Sequence, residues 1–320
     1  MINKKWLIPL IAFLVAVVSA CGNNNAGPSS NNETPSPTAS NAPSQAADVS
    51  GTITYESETG PVEVPANPTR IVALTNAPNV LALDGPIVGV DEWTNKNPLF
   101  TEKLTGVEVV SETNLEKIIE LEPDLIIAGS HMQNLGKLSD IAPTVVYTWG
   151  KLDYLAQQLE IGKLLNQEQE AQAWIDDFKQ RAEAAGQEVK AKHGGDVTVS
   201  VFETDSKSFY VFGNNWARGT EILYQAMGLA MPDKVKQDAL GPGYYTLSQE
   251  LLPDYAGDFV VISRSAASDN SFMQTELWNG IPAVQNDRVI EIDTEASSYS
   301  DPITLEYLLD IFKKGLLGAE

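Results

Sequence analysis

Cysteine and histidine are almost missing from this chain, with one Cys and two His in 320 residues. A single Cys excludes a disulfide within the chain and any cysteine-rich metal site. Two His leave little for zinc or haem ligation, or for a serine-type triad. Positive charge is scarce too: 21 Lys+Arg stand against 43 Asp+Glu, a formal charge of −22. Nucleic acid is therefore disfavoured as a partner, because phosphate binding needs a basic footprint. No stretch reads GxxxxGKS/T and none sets GxGxxG behind a strand, so nucleotide hydrolysis and dinucleotide redox chemistry are unsupported. A GxSxG elbow is absent as well.

What is present begins with an address. Lys4 and Lys5 precede an apolar run from Trp6 to Val18, which is shorter than the roughly 20 residues a spanning helix needs. The order Val18-Ser19-Ala20-Cys21 resembles a bacterial lipobox, in which the Cys becomes the acylated first residue of the mature protein. Residues 1–20 are read as a lipoprotein signal peptide and Cys21 as the lipidation site. The alternative is an ordinary signal peptide followed by an incidental Cys. Residues 22–50 are nearly all Asn, Ser, Pro, Thr, Ala and Gly. Such a segment cannot bury enough apolar surface to offset its ordering entropy, and extended it reaches about 100 Å. With Cys21 it makes an anchored, disordered tether over 21–50, of a length that suits a Gram-positive surface better than a periplasm.

With 43% hydrophobic residues, the remainder is long enough for more than one core. From Gly51 onward, short β-rich runs alternate with helical stretches, the mark of α/β layering. Strands are predicted near Arg70–Leu74, Ile87–Val90, Leu125–Ala128 and Thr144–Thr148, and again near Val197–Glu203, Phe259–Ser263 and Val289–Ile292. The halves share a grammar. Leu115-Glu116-Lys117-Ile118-Ile119 leads to Pro123-Asp124-Leu125, and Leu247 to Leu252 leads to Gly257-Asp258-Phe259. Between them, apolar residues at Ala171, Trp174, Ile175, Phe178, Ala182, Ala185 and Val189 follow helical spacing. Asn166 with Gln169 reads as a capping box, and Gly194-Gly195 ends the helix behind His193. A helix from Gln167 to Lys192 would be about 39 Å long. The expected fold is two doubly wound α/β lobes, 51–165 and 194–320, joined by one stiff helix over 166–193.

In such lobes, ligands bind beyond the carboxyl ends of the strands. The residues that follow the predicted strands are unusual there: Trp93, Met132 and Trp149 in the first half, then Tyr210, Trp216, Arg218, Arg264 and Tyr299 in the second. Large aromatics at loop positions suggest an aromatic-lined cleft. Trp174 and Trp278 sit at helical spacing and are assigned to packing, although Trp149 could also pack on the helix beginning near Leu152. Ser130-His131 follows a strand and leaves open a secreted hydrolase using His131. Neighbouring loop residues seldom face one another as nucleophile and base, so a pocket-lining or solvated His131 is favoured. The pair Tyr244-Tyr245 could offer phenolates to ferric iron, but no His and carboxylate set accompanies it. It is read as packing, in a turn leading into a helix at Ser248.

The stretch Gly213-Asn214-Asn215-Trp216-Ala217-Arg218-Gly219-Thr220-Glu221-Ile222-Leu223-Tyr224-Gln225, with Tyr210, resembles the ferric hydroxamate siderophore-binding lipoproteins of Gram-positive bacteria. These belong to the iron-siderophore and vitamin B12 class of ABC-transporter substrate-binding proteins. Thr69-Arg70-Ile71-Val72, Glu122-Pro123-Asp124-Leu125, Tyr255-Ala256-Gly257-Asp258 and Asp301-Pro302-Ile303-Thr304 extend the likeness over most of 51–320. The resemblance implies a class III periplasmic-binding-protein architecture, with an Fe(III)-siderophore complex held between the lobes and no resident cofactor or directly bound metal. It implies ligand contacts from Tyr210, Trp216, Arg218 and Tyr299. Arg218 could donate to the metal-bound oxygens, and Trp216, Tyr210 and Trp93 could cover the methylene chains. It further implies that Glu116 and Glu221, one exposed at a helix start in each lobe, dock the loaded protein on a permease that works with an ATPase. Taken alone, each is also explained as an acid at a helix N-terminus. The expected protein is thus a monomeric, lipid-anchored binder on the extracellular face of the cell membrane, and not an enzyme. Another iron chelate, such as a citrate-hydroxamate, or a corrinoid is the alternative cargo.

Overall fold

Two five-stranded sheets, set on either side of a 26-residue helix, organise the residues that the computed structural model describes, 51–204, 208–265 and 269–318. The expected signal peptide, Cys21 and the tether lie outside these residues. No helix among the described residues is long and apolar enough to cross a membrane.

The first lobe opens with an antiparallel hairpin of β1 (Thr52–Ser57) and β2 (Gly60–Pro65) that sequence reading did not anticipate. Its main sheet contains β3 (Ile71–Ala73), β4 (Ile87–Val90), β5 (Glu108–Val109), β6 (Leu125–Gly129) and β7 (Thr144–Tyr147). All pairings are parallel, in the order β5-β4-β3-β6-β7. Strands covered on both faces read as unbroken apolar runs, and β3, β6 and β7 are buried at every position. Alternate residues feed opposite clusters: Ile71, Leu125 and Ile127 join Phe100, while Val72, Ile126 and Ala128 join Ile118 and Leu138.

The second sheet contains β8 (Val199–Thr204), β9 (Phe209–Phe212), β10 (Tyr244–Leu247), β11 (Phe259–Arg264) and β12 (Val289–Asp293), in the order β10-β9-β8-β11-β12. β8, β11 and β12 are parallel, as the α/β reading requires. β9 and β10 run antiparallel, so this sheet is mixed rather than purely doubly wound. Tyr244 and Tyr245 are therefore not in a turn. They form the edge strand, opposite Phe212 and Val211.

The joining helix runs Glu168–His193 and buries Ala171, Ile175, Phe178, Ala182, Ala185, Gly186 and Val189 along one stripe. The expected capping box is not formed. Asn166 adopts a left-handed φ of 58° that stops the preceding helix, Tyr154–Leu164, and Gln167 is the N-cap without a side-chain bond. Gly186 is needed for close approach, because a Cβ there would lie 2.1 Å from the carbonyl oxygen of Met227. At the far end His193 bonds the Leu316 carbonyl through Nε2 at 2.7 Å and meets the Phe259 ring edge-on. A structural role accounts for it.

A second helix flanks this strut. Asp301 caps the helix Pro302–Leu317, whose Glu306 accepts from Trp174 Nε1 at 2.8 Å and from Arg181. Tyr299 and Ile303, at its start, pack on the first-lobe core, while Leu305, Leu308, Leu309 and Phe312 belong to the second. The lobes thus share the closing helix as well as the strut.

Candidate functional site

The loops that leave the carboxyl ends of the strands meet along two lines. On one, Trp149, just after β7, stands edge-on to Trp216 of the second lobe, with ring centroids 5.1 Å apart at 82°. On the other, Thr94 Oγ1 lies 3.0 Å from the Tyr299 hydroxyl, Asn97 Nδ2 donates to the Glu295 carbonyl at 2.8 Å, and Phe100 packs on Tyr299 at 5.7 Å. The two lobes touch along both. Trp93 and Trp149 remain 63% and 75% exposed, although core packing normally claims such rings.

Local backbone chemistry sets Trp216 and Arg218. Ala217, Arg218 and Gly219 all have left-handed φ values, 57°, 55° and 75°. Such a conformation costs a non-glycine residue about 1–2 kcal/mol, so the run is strained where the sequence motif is densest. Gly219 is obligatory, because a Cβ there would lie 2.2 Å from the Phe312 ring. The chain then enters a π-helical turn, Glu221–Ala226. Thr220 Oγ1 accepts from the Trp216 amide at 2.9 Å and so holds the start of the turn. The Trp216 ring leans on Tyr244 at 5.0 Å, and Tyr244 meets Tyr210 at 6.1 Å. Gly243, with φ 93°, supplies the space, since its Cβ would stand 2.4 Å from Trp216 Cε3.

Arg218 is held by a carboxylate that sequence reading overlooked. Glu203, at the carboxyl end of β8, takes Arg218 Nε on Oε2 at 2.7 Å and Nη2 on Oε1 at 2.9 Å. Ser263 Oγ also donates to Glu203 Oε2 at 2.7 Å. The guanidinium lies 5.2 Å from the centre of the Phe212 ring. Burial raises the Tyr299 phenol above its ordinary range, with the charge of Asp91 adding to it. Its hydroxyl stays protonated and available for hydrogen bonding at neutral pH.

Trp149, Tyr210, Trp216, Arg218 and Tyr299 thus come to the facing loops or to strands beside them, and Trp93 lies in the short helix Glu92–Lys96 that follows β4. Three expected residues do not join them as expected. Met132 accepts the Gly129 N–H on its sulfur at 3.4 Å and packs on the first-lobe cluster around Val72 and Leu138. Arg264 turns back to Glu291, which the register places opposite Ile262, two residues short of the strand end. Glu221 is not an exposed pin: it is 4% exposed and takes the Ala217 amide at 3.1 Å and the Thr220 hydroxyl at 3.1 Å. Burial raises its pKa, and it sits where the second lobe meets Tyr154 of the first, whose phenol its charge also raises.

Glu116 is exposed, at the start of the helix Leu115–Glu120. Its structural counterpart is Glu250. In the first lobe, Asp124 takes Thr69 N and Oγ1 on one oxygen at 2.7 Å; in the second, Asp258 does the same with Thr198 at 2.9 and 2.8 Å. Glu116 stands eight residues before Asp124, and Glu250 eight before Asp258, exposed in the 3-10 turn Gln249–Leu251. The repeated grammar of the two halves carries this signal, in the equal spacing of Glu116–Asp124 and Glu250–Asp258. A groove of about 480 Å³ runs along Lys179, Glu183 and Gln187 of the strut, and none of Trp93, Trp149, Tyr210, Trp216 and Tyr299 lines it.

Residues 71–296 match the family model described as periplasmic binding protein. The chain is 34% identical to the iron(3+)-hydroxamate-binding protein FhuD of Bacillus subtilis (strain 168), over 95% of this chain and 94% of the relative. It is 31% identical to YxeB of the same organism, also an iron(3+)-hydroxamate-binding protein, covering 97% and 96%. Among solved structures, FhuD2 of Staphylococcus aureus with bound ferrioxamine B superposes with a TM-score of 0.73 at 31% identity, over 78% of this chain and 98% of that one. The FhuD protein of S. pseudintermedius gives 0.75 at 32% identity, over 84% and 99%. Two α/β lobes bridged by one long helix are the class III architecture of such proteins. With its facing loops and its matching model, the chain belongs to the periplasmic binding protein family.

Proposed function

We propose that this protein captures a ferric hydroxamate siderophore in the interlobe cleft and delivers it, chemically unchanged, to the permease of an ABC importer. The observation that carries this reading is the Trp216–Arg218 segment. A strained backbone sets the Trp216 indole against the exposed Trp149 of the other lobe, and Arg218, two residues on, is steadied by Glu203. The two B. subtilis relatives, named for ferric hydroxamate binding, and the ferrioxamine-bound neighbour support it. A trihydroxamate presents iron inside six oxygens with a methylene periphery. Arg218 would donate to the oxygens, while Trp93, Trp149, Tyr210, Trp216 and Tyr244 would cover the chains. Tyr299, anchored on Thr94, would close the opposite side.

Glu116 and Glu250 are the docking carboxylates in this reading, one per lobe at matching positions, each meeting a basic group of the permease. Cys21 carries the lipid that holds a monomer on the extracellular face of the membrane, with residues 22–50 between that anchor and the lobes. Tryptophan fluorescence of the purified chain should quench on titration with ferrioxamine B or ferrichrome, and Trp216→Ala should blunt the response. A protein that ignores every ferric hydroxamate offered ends this reading.

A further inference from the structure

Arg218 does not meet the cleft as a free cation. Its side chain is 17% exposed and that of Glu203 is 14% exposed, and the pair is bidentate. A fork of this kind restrains both partners and cancels their charge locally. Ser263 donates to the same carboxylate and lies 2.9 Å from Thr294 Oγ1, so Glu203 is fixed from the second side as well. Other cations close to the strand ends also have carboxylate partners, in single and more exposed pairs: Lys96 with Glu92, Lys151 with Glu58 and Arg264 with Glu291. The whole chain carries a formal −22.

Cargo chemistry makes this consequential. Iron(III) wrapped by three singly charged hydroxamates is a neutral core, whereas a tris-catecholate or a carboxylate-rich chelate is an anion. A cleft that takes anions by charge needs an uncompensated guanidinium or ammonium. Building on the ferric hydroxamate reading, we propose that Glu203 sets the charge selectivity of the cleft. It steadies Arg218 as a hydrogen-bond donor, through the Nη1 nitrogen that the carboxylate does not engage, and cancels its charge toward the ligand. Neutral and cationic ferric trihydroxamates are therefore accepted and anionic chelates turned away. Glu203 is a positioning residue for Arg218 in this scheme.

The test uses one iron core with three pendant charges: ferrioxamine B, whose free amine makes it a cation, its neutral N-acetyl derivative and its anionic N-succinyl derivative. Each is titrated against the full chain by tryptophan quenching in low-salt buffer, where screening is weak. The parent should bind the cation and the neutral form well and the anion more weakly. Glu203→Gln keeps the shape but removes the charge. It should move the anion-to-cation Kd ratio about tenfold in favour of the anion, as expected for removing one charge about 10 Å from a ligand whose own charge differs by two. Ligand-size effects cancel in that ratio of ratios. Arg218→Gln, which leaves Glu203 unbalanced, should move the ratio the opposite way, and added salt should shrink both shifts. Equal weakening of all three ligands in both variants would mean a structural role only and overturn the proposal while the hydroxamate reading stands. Failure of the parent to bind any of the three overturns both.

Discussion

Replacing Gly243 by Ala should dislodge Trp216 and weaken ligand capture without opening the fold. Two effects add at this position. Its φ of 93° is one that an L side chain resists, at about 1–2 kcal/mol. The new Cβ would stand 2.4 Å from Trp216 Cε3 and 2.6 Å from Cζ3, against ordinary carbon contacts of about 3.5–4.0 Å. Something must yield by about 1 Å. The backbone is tied on both sides, since Gly243 N donates to the Ala239 carbonyl at 2.8 Å and its own carbonyl accepts Gly213 N at 2.7 Å. The indole is therefore the part that moves. It leaves its ring contacts with Tyr244 and Trp149, worth about 0.5–1.5 kcal/mol each. The expected total is about 2–5 kcal/mol, a melting temperature lower by several degrees, and a Kd for ferrioxamine B raised about tenfold or more. Calorimetric melting and fluorescence titration read the two quantities. Gly243→Asn separates the causes, because Asn tolerates a left-handed backbone but brings the same Cβ. Equal loss of affinity in both variants identifies the displaced ring. If Gly243→Ala melts and binds like the parent, the account of how Trp216 is placed is wrong.

Asp301 is buried, with Oδ1 capping the amides of Ile303 and Thr304 and Oδ2 unpartnered, and burial pushes its pKa from 3.8 up to about 6. The folded state then holds this proton more tightly than the unfolded one. The group costs about 3 kcal/mol above pH 6, a cost that lifts as pH falls toward 3.8. Asp301→Asn, which keeps a capping oxygen, should stabilise the protein by about 1–2 kcal/mol at pH 7.5 in urea melts and flatten the profile between pH 4 and 6; an unchanged profile would contradict this. Glu116→Ala and Glu250→Ala should each leave ferrioxamine affinity intact but slow uptake in cells, whereas Glu221→Ala should lower stability by about 1–3 kcal/mol by stripping partners from the Ala217 amide and Thr220. Loss of ligand affinity in the first two would refute their docking role. Gly186→Ala pushes a methyl against the Met227 carbonyl, which cannot yield as a side chain could, so a loss of about 1–3 kcal/mol is expected in denaturant melts. His131→Ala should leave binding and uptake unchanged; loss of either would reopen a role for that residue.

Parallel strands and the strut were legible because their signals are local. Runs such as Leu125-Ile126-Ile127-Ala128 are apolar throughout, since both faces are covered, and the stripe from Ala171 to Val189 repeats at helical steps. The edge strand β10 escaped notice because Tyr244-Tyr245-Thr246 are all exposed and follow Gly-Pro-Gly, so pairing with β9 rather than burial makes them a strand. Asn166 likewise looked like the start of one helix and proved to be the stop of another, because its left-handed φ depends on how the chain reverses.

At the site, residue type was informative and direction was not. Trp149, Trp216 and Arg218 stood out as rings and a guanidinium where no core needs them. Whether a side chain beyond a strand enters the cleft depends on partners far away in sequence. Glu291 draws Arg264 back along the sheet, and the first-lobe cluster claims Met132. Glu221 and Glu250 sit in similar acidic helix-start contexts, yet one is sealed against Tyr154 and the other faces solvent. Composition, periodicity and the two-half grammar by themselves determined the α/β class, the pair of lobes and the strut. They are properties of adjacent residues, read at a spacing of two or of three to four. Only the tertiary structure decided that Glu203 clasps Arg218, that Trp149 reaches across to Trp216, and which carboxylates stay outside. Those outcomes depend on which distant segments the folded chain brings within a few ångströms, and no local spacing encodes that.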